Sequence, residues 1–303
     1  MTTLPERAEW PELTPEPGSP VWNAFCDYRM LATAGYALLL QVSHPTVGAG
    51  VHQHSAFVSD PWGRLLRTLD YVHGTVYGGP ELAGTIGARV RGMHQGIRGV
   101  RADGARYSAM EPDAFAWVHA TLALGVVEGR RRFATPMGAG EREAFYAQWL
   151  RVGRLIGVRS RDLPGDWAGF EAYARTTIER DLAWTPAVPQ VLDTLRHAAR
   201  PDVPGLRPAA WRVLRVPLSA QLQLTTVGML PPVLRERLGQ AWSARQQAAF
   251  RALCKGLKAS GPLRVGPLRE FGPHYVRWRR RALERGDVAG AGTAAAVART
   301  VAA

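Results

Sequence analysis

The sequence predicts an all-α protein, and three observations carry that expectation. Apolar residues recur at three- and four-residue spacing through most of the 303 residues. Pro or Gly separates nearly every such segment from the next, as helix starts and stops do. Sustained two-residue alternation and Asn-Gly hairpin signals are nearly missing, so strands are not expected. No internal repeat or linker interrupts the chain. One large helical domain over residues 21–285 is the expected organisation, between an extended lead-in at 1–20 and a frayed or weakly helical tail from Gly286.

The elements follow in order. The opening MTTLPERAEWPELTPEPGSP is acidic and Pro-rich with no apolar core, so it is read as a lead-in and not as a secretory signal. From Val21 to Val42 the pattern is helical and ends in the apolar run Tyr36 to Leu40, with small Ala34 and Gly35 allowing close packing. Pro45 stops that helix or opens the next, with Ser43 or His44 as its cap. Asp60 before Pro61 marks another start, and Gly78-Gly79 ends that helix. Pro80-Glu81 then opens the helix that carries His94. Ala102-Asp103-Gly104 is a turn signal, and Glu111-Pro112-Asp113 begins a helix reaching about Phe133. Further helices are expected at 140–157, 167–181, 187–199, 207–226, 231–239, 243–259 and 270–284.

Composition excludes several classes of function. At 46% hydrophobic and 21% charged the chain can bury a large core, and no apolar run approaches a membrane span. Cys26 and Cys254 lie far apart and fit no zinc spacing, so a reducing cytoplasm is expected. The net charge of +13 is nearly all arginine, because Lys255 and Lys258 are the only lysines. Those arginines are dispersed, and no zinc finger, RNP motif or basic-region heptad accompanies them, so no nucleic-acid partner is expected. There is no G-x-S-x-G, P-loop, G-x-G-x-x-G after a strand, or H-E-x-x-H. His52 and His54 would point apart on a helix, and no acid lies between Asp27 and Asp60 to complete a non-haem metal site.

What remains is a set of helix-borne polar groups. Arg64, Arg67 and Thr68 stand at i, i+3 and i+4 and are expected to share one helical face. His94 and Arg98 stand at i and i+4 beside an apolar stripe of Ile86, Val90, Met93 and Ile97. An imidazole on a helix, followed one turn later by a guanidinium, suits a buried anionic cofactor: one ligates a metal and the other pairs with a carboxylate.

A series of short motifs occurs in one order: Gln41-x-x-His44-Pro45, His54-Ser55-x-Phe57, Gly63-Arg64-x-x-Arg67-Thr68, His94-x-x-x-Arg98, Gly104-x-x-Tyr107 and Trp117-Val118-His119-Ala120-Thr121. Over roughly residues 25–260 this resembles the MpaB-like oxygenases and the catalytic domain of the rubber oxygenases (latex clearing proteins). The resemblance implies a b-type haem in a globin-like helical core. It matches His94 to the proximal iron ligand, with Arg98 beside it, and Arg64, Arg67 and Thr68 to the polar motif on the distal side. His44 and His119 fall within the other motifs and are expected to bind the cofactor too.

The rubber enzymes carry lysine where this chain has Arg67, which stays cationic but cannot donate a proton near neutral pH. They also carry an upstream acid proposed as a base, for which this chain offers no counterpart between Asp27 and Asp60. The resemblance therefore implies haem, dioxygen and a hydrophobic small-molecule substrate, isoprenoids among the candidates, without fixing polyisoprene as that substrate. Leu38, Leu39, Leu40, Val47, Val51, Phe57 and Leu65 are candidates for the apolar wall. Two rival readings stay open on sequence alone: a haem-binding sensor or peroxidase-like protein, and a basic helical binder of nucleic acid or membrane surfaces.

Overall fold

The computed structural model describes residues 4–55, 59–201, 206–263 and 265–284. The helical expectation holds: among these residues the chain forms fourteen α-helices and a single two-stranded ribbon. The helices are α1 (Trp10–Leu13), α2 (Pro20–Cys26), α3 (Ala34–Val42), α4 (Pro45–His54), α5 (Pro61–Tyr77), α6 (Pro80–Gln95), α7 (Pro112–Phe133) and α8 (Ala139–Ile156). They continue with α9 (Trp167–Arg180), α10 (Ala187–Arg196), α11 (Pro208–Met229), α12 (Pro232–Arg237), α13 (Ala244–Ala259) and α14 (Phe271–Glu284). Phe57 and the tail from Gly286 lie outside the described residues.

Three expectations need correction. The lead-in is not simply extended, because Arg7–Glu9 form a 3-10 turn and α1 docks on α6 and α8, with Leu13 buried. Trp10 there fills the space that Gly84 leaves by having no side chain. The expected helix from Val21 to Val42 breaks at Asp27. The Asp27 carboxylate accepts the backbone N–H of Arg29 and pairs with its guanidinium at 2.6 Å, which turns Tyr28–Thr33 into a 3-10 segment. Arg29 also donates to the Phe133 and Leu257 carbonyls, so this buried cation is fully engaged.

The third correction concerns strands. β1 (Arg98–Val100) and β2 (Arg106–Ser108) pair antiparallel, with Gly99 opposite Tyr107. Three residues each are too few to show an alternation, and the partners that hold them come from elsewhere. Gln53 of α4 donates to the Val100 carbonyl and accepts from the Tyr107 hydroxyl, both at 2.8 Å. The turn between the strands closes on Gly104, at φ 83°, where a side chain would be strained.

The core runs between α2, α3, α7, α8, α9 and α13, with Trp117, Trp149, Tyr146, Phe133, Phe145, Phe170 and Phe250 fully buried. Each such aromatic contributes about 2 kcal/mol by leaving water. At its edge α5 and α6 form an antiparallel hairpin joined by Gly78-Gly79. Small residues let that hairpin close. A Cβ on Gly74 would meet the Ile86 side chain, and a Cβ on Gly87 would lie 2.1 Å from the Leu155 carbonyl oxygen of α8.

Two glycines of α6 are therefore expected to respond oppositely. Gly87→Ala should lower stability by about 1–3 kcal/mol, because rigid backbone opposes the new methyl. Gly92→Ala meets nothing within 4 Å and should raise stability by about 0.5–1 kcal/mol. Urea midpoints of the two variants check this, and equal shifts would show that α6 is not seated on α8.

Candidate functional site

The antiparallel hairpin brings the two groups of motif residues to one level. Arg64 and His94 stand about equally far from the Gly78-Gly79 turn, so both lie at the hairpin's open end. The end of α4 and the β ribbon close that end. His54 Nε2 donates to the Arg98 carbonyl at 3.1 Å, and the Ser55 hydroxyl accepts from Arg64. Gly50 of α4 lets the Ile97 and Tyr107 side chains approach within 3.8 Å of where its Cβ would be.

His94 lies in the last turn of α6 and is half-buried. Its Nδ1 is 2.7 Å from the Val90 carbonyl oxygen. A carbonyl only accepts, so Nδ1 carries the proton and the lone pair of the neutral ring resides on Nε2. Phe115 of α7 packs edge-on against this ring, with centroids 5.8 Å apart, and limits its rotation. That is how proteins orient a metal-binding imidazole: one nitrogen tied to a backbone carbonyl and the other left basic.

Arg98 does not share the helix face of His94. Helix α6 stops at Gln95, the Ile97 N–H closes a turn onto the His94 carbonyl, and Arg98 begins β1 with its side chain exposed. Gly96 and the side-chain grip of α4 on the ribbon end the helix before Arg98. Met93, expected in the apolar stripe, is 47% exposed, while Ile86 is buried.

Arg64, Arg67 and Thr68 do share one face of α5. Arg67 pairs with the Asp60 carboxylate at 3.3 Å, and Asp60 also caps the helix through the Gly63 N–H. Burial, and then the neighbouring Arg67 charge, push the Arg64 guanidinium down to about 10. Two guanidiniums thus stand close together on this face of α5. Thr68 is exposed and its hydroxyl donates to the Arg64 carbonyl at 3.1 Å, so its proton is spent within the helix.

The other candidate histidines are placed differently. His119, 1% exposed, stacks on Trp149 with ring centroids 4.4 Å apart. Its Nε2 donates to the Trp149 carbonyl at 2.9 Å, and Nδ1 is 3.5 Å from the Tyr71 hydroxyl. Both nitrogens are thus engaged inside the core. His44 caps α4, buried, with Nδ1 lacking a hydrogen-bond partner and Nε2 4.0 Å from Asp113. It approaches the first turn of α7, two residues from the Phe115 that touches His94. Burial lowers its basicity.

Of the expected apolar wall, Leu39 and Leu40 are wholly in the core, while Leu38, Val47, Val51 and Leu65 are half-buried and remain available. Sequence reasoning missed Tyr71. It follows Arg67 by four residues and Thr68 by three, so the same spacing that grouped those two already put Tyr71 on their face. His73 was missed as well: it is buried on the opposite face of α5, among Tyr77, Phe271 and Tyr275. Helix α14 covers that face, where Arg279 and the Tyr275 hydroxyl hold Asp70 at 2.9 and 2.7 Å. Among the described residues no group of three or more His, Cys, Asp or Glu is placed to hold a metal ion.

Residues 22–259 match the family described as ER-bound oxygenase mpaB/B′/rubber oxygenase, catalytic domain. The chain belongs to this family. An uncharacterized protein of Mycobacterium bovis, Mb2261, is 24% identical over 230 residues, covering 75% of this chain and 86% of its own length. The uncharacterized protein Rv2237 of Mycobacterium tuberculosis matches to the same extent. No solved structure matches the chain. Oxygenase family membership makes an oxidoreductase function the coarse assignment, and His94, Arg64, Arg67 and Thr68 all lie inside the matched span.

Burial pushes both His119 and His73 down to about 4 from an ordinary 6.5. The folded state thus holds both rings neutral, whereas the unfolded chain protonates them below 6.5. Stability from this source is complete above about pH 6.5 and falls as pH drops toward 4, by up to about 3 kcal/mol per ring. Urea titrations at pH 7.5 and 5 should show the loss, and His73→Phe should flatten it in part. A variant with the wild-type slope would remove His73 from the account.

Proposed function

We propose that this oxygenase-family chain uses haem b, held by His94, to oxidise or cleave a hydrophobic, isoprenoid-like substrate with dioxygen. The observation that carries the reading is the His94 tautomer: Nδ1–H is fixed on the Val90 carbonyl at 2.7 Å, leaving Nε2 as the basic nitrogen. A haem brings four nitrogens of its own and asks one more of the protein, so a single oriented imidazole suits it. When bound, such a group supplies dioxygen activation that no side chain can provide.

The chain's own residues have definable tasks in this reading. The Val90 carbonyl keeps the proton on Nδ1 and strengthens Nε2 as a donor, while Phe115 holds the ring plane. Arg64 and Arg67 supply fixed positive charge where oxygen becomes negative, in a setting from which water is partly excluded. Arg67, paired with Asp60, orients and stabilises, since a guanidinium is a poor proton donor near neutral pH. Thr68 retains acceptor capacity although its proton is committed. Arg98, on the exposed rim, suits a propionate carboxylate, and Leu38, Val47, Val51 and Leu65 suit an alkene. The helices around the group are then arranged in a globin-like way, in a domain over residues 21–285 onto which α1 packs, working in a cytoplasm where Cys26 and Cys254 stay reduced.

His94→Ala should lose most bound haem or show a markedly altered Soret band, with helical circular dichroism unchanged. Wild-type haem stoichiometry and spectrum in that variant would overturn the assignment. Arg67→Ala should keep its haem but bind cyanide with altered affinity and lose substrate-dependent oxygen consumption about 100- to 1,000-fold, the range of one removed charge-stabilising donor.

A further inference from the structure

The first half of α11 is built inside out. Its inward face carries the buried Trp211 and Ser219. Trp211 packs edge-on against Trp62, at ring centroids 6.2 Å apart, and Trp62 donates to the Ala199 carbonyl. The outward face carries Ala209, Ala210, Val213, Leu214, Val216 and Pro217, all exposed. Val213 is 73% exposed, Val216 65% and Leu214 54%. At 100° per residue these six fill one continuous arc, and Arg207 and Arg212 stand exposed at its two margins.

An apolar outward arc of this size is uncommon on a soluble surface and marks a place of contact. Its charge pattern selects the partner. No acidic residue lies on α11, and Arg207 and Arg212 flank the exposed arc. A second copy docked helix to helix would set these arginines against their own equivalents with no carboxylate on either helix. An anionic bilayer supplies the complementary charge. It takes apolar side chains a few ångströms below the headgroups while arginines at the margins extend toward phosphates. The helix is not long and apolar enough to cross a membrane, as is true of every helix among the described residues, so contact is confined to the interface.

We propose that residues 207–217 dock this protein on the surface of an anionic lipid bilayer. Through Trp211 and Trp62 the docking helix is braced directly on the first turn of α5, two residues before Arg64. Binding at α11 therefore places the open end of the α5–α6 hairpin close to the source of any lipid-dissolved substrate. Docking through this face depends on its apolar exposure and its charge, independently of haem.

The test is flotation of the purified full chain with vesicles of phosphatidylcholine, alone or with about one-third phosphatidylglycerol, read by the bound fraction. The expected result is strong binding to the anionic vesicles that weakens as salt is raised, since screening shortens the reach of the arginines. V213S/L214S/V216S should lower partitioning about tenfold or more. R207Q/R212Q should lower it by up to about 30-fold on anionic vesicles only, at about fivefold per surface arginine. Circular dichroism shows whether each variant is folded, and the two variants fail independently. Wild type that does not float with anionic vesicles, or a folded apolar variant that floats like wild type, overturns the proposal. So does a dimer, seen by light scattering, that V213S/L214S/V216S dissolves, because it assigns the face to a second copy. Loss of haem in His94→Ala with flotation intact would bear on the cofactor and leave docking standing.

Discussion

A neutral imidazole with nowhere else to go organises the centre of this molecule. His119 is buried beside aromatic groups, and loss of hydration disfavours its charged form. A neutral ring has one donor and one acceptor, and the fold uses both: Nε2–H on the Trp149 carbonyl, Nδ1 facing the Tyr71 hydroxyl. Trp149 returns the bond, its indole N–H donating to the His119 carbonyl at 3.1 Å. One side chain thereby fixes α5, α7 and α8 to one another. Helix α6 is seated on α5 at Gly74 and on α8 at Gly87, so the place of His94 is inherited from this contact.

The motif residues outside the hairpin serve the same end in pairs. Gln41 donates to the Thr121 hydroxyl, Trp117 to the Leu40 carbonyl, and Tyr107 to Gln53. Thr46 donates to Glu111, which also accepts the Ser108 N–H and so anchors the ribbon to the start of α7. These residues look like scattered functional signals along the chain. In space they are rivets joining α3, α4, the ribbon and α7 around the open end of the hairpin. Polar groups at such junctions are costly to bury singly, which is why they occur as matched partners.

Helices were legible because Pro, Gly and Asp punctuate this sequence so heavily; most expected boundaries fall within a few residues of those observed. The break at Asp27 was not, since its cause is a buried ion pair whose other partners, the Phe133 and Leu257 carbonyls, are remote in sequence. The departure of the chain at Gly96 was hidden for the same reason: Gln53 and His54 reward the ribbon from another helix. Helical spacing correctly grouped Arg64, Arg67 and Thr68, and could have added Tyr71. It could not tell that Thr68 would spend its proton on its own backbone, or that His119 would be consumed by packing, because both outcomes depend on what stands opposite.

The resemblance that identifies the family ends at residue 259, but the packing does not. Helix α14 lies wholly beyond that limit and seals the face of α5 that is turned away from Arg64. Its Phe271 and Tyr275 form two sides of the cage around His73, and its Arg279 neutralises Asp70. A fragment trimmed to the shared segment would bare an aromatic pocket, strand a carboxylate and wet an imidazole, all on the helix that carries the candidate site. In this chain the segment shared with the family and the packed helical unit end at different places.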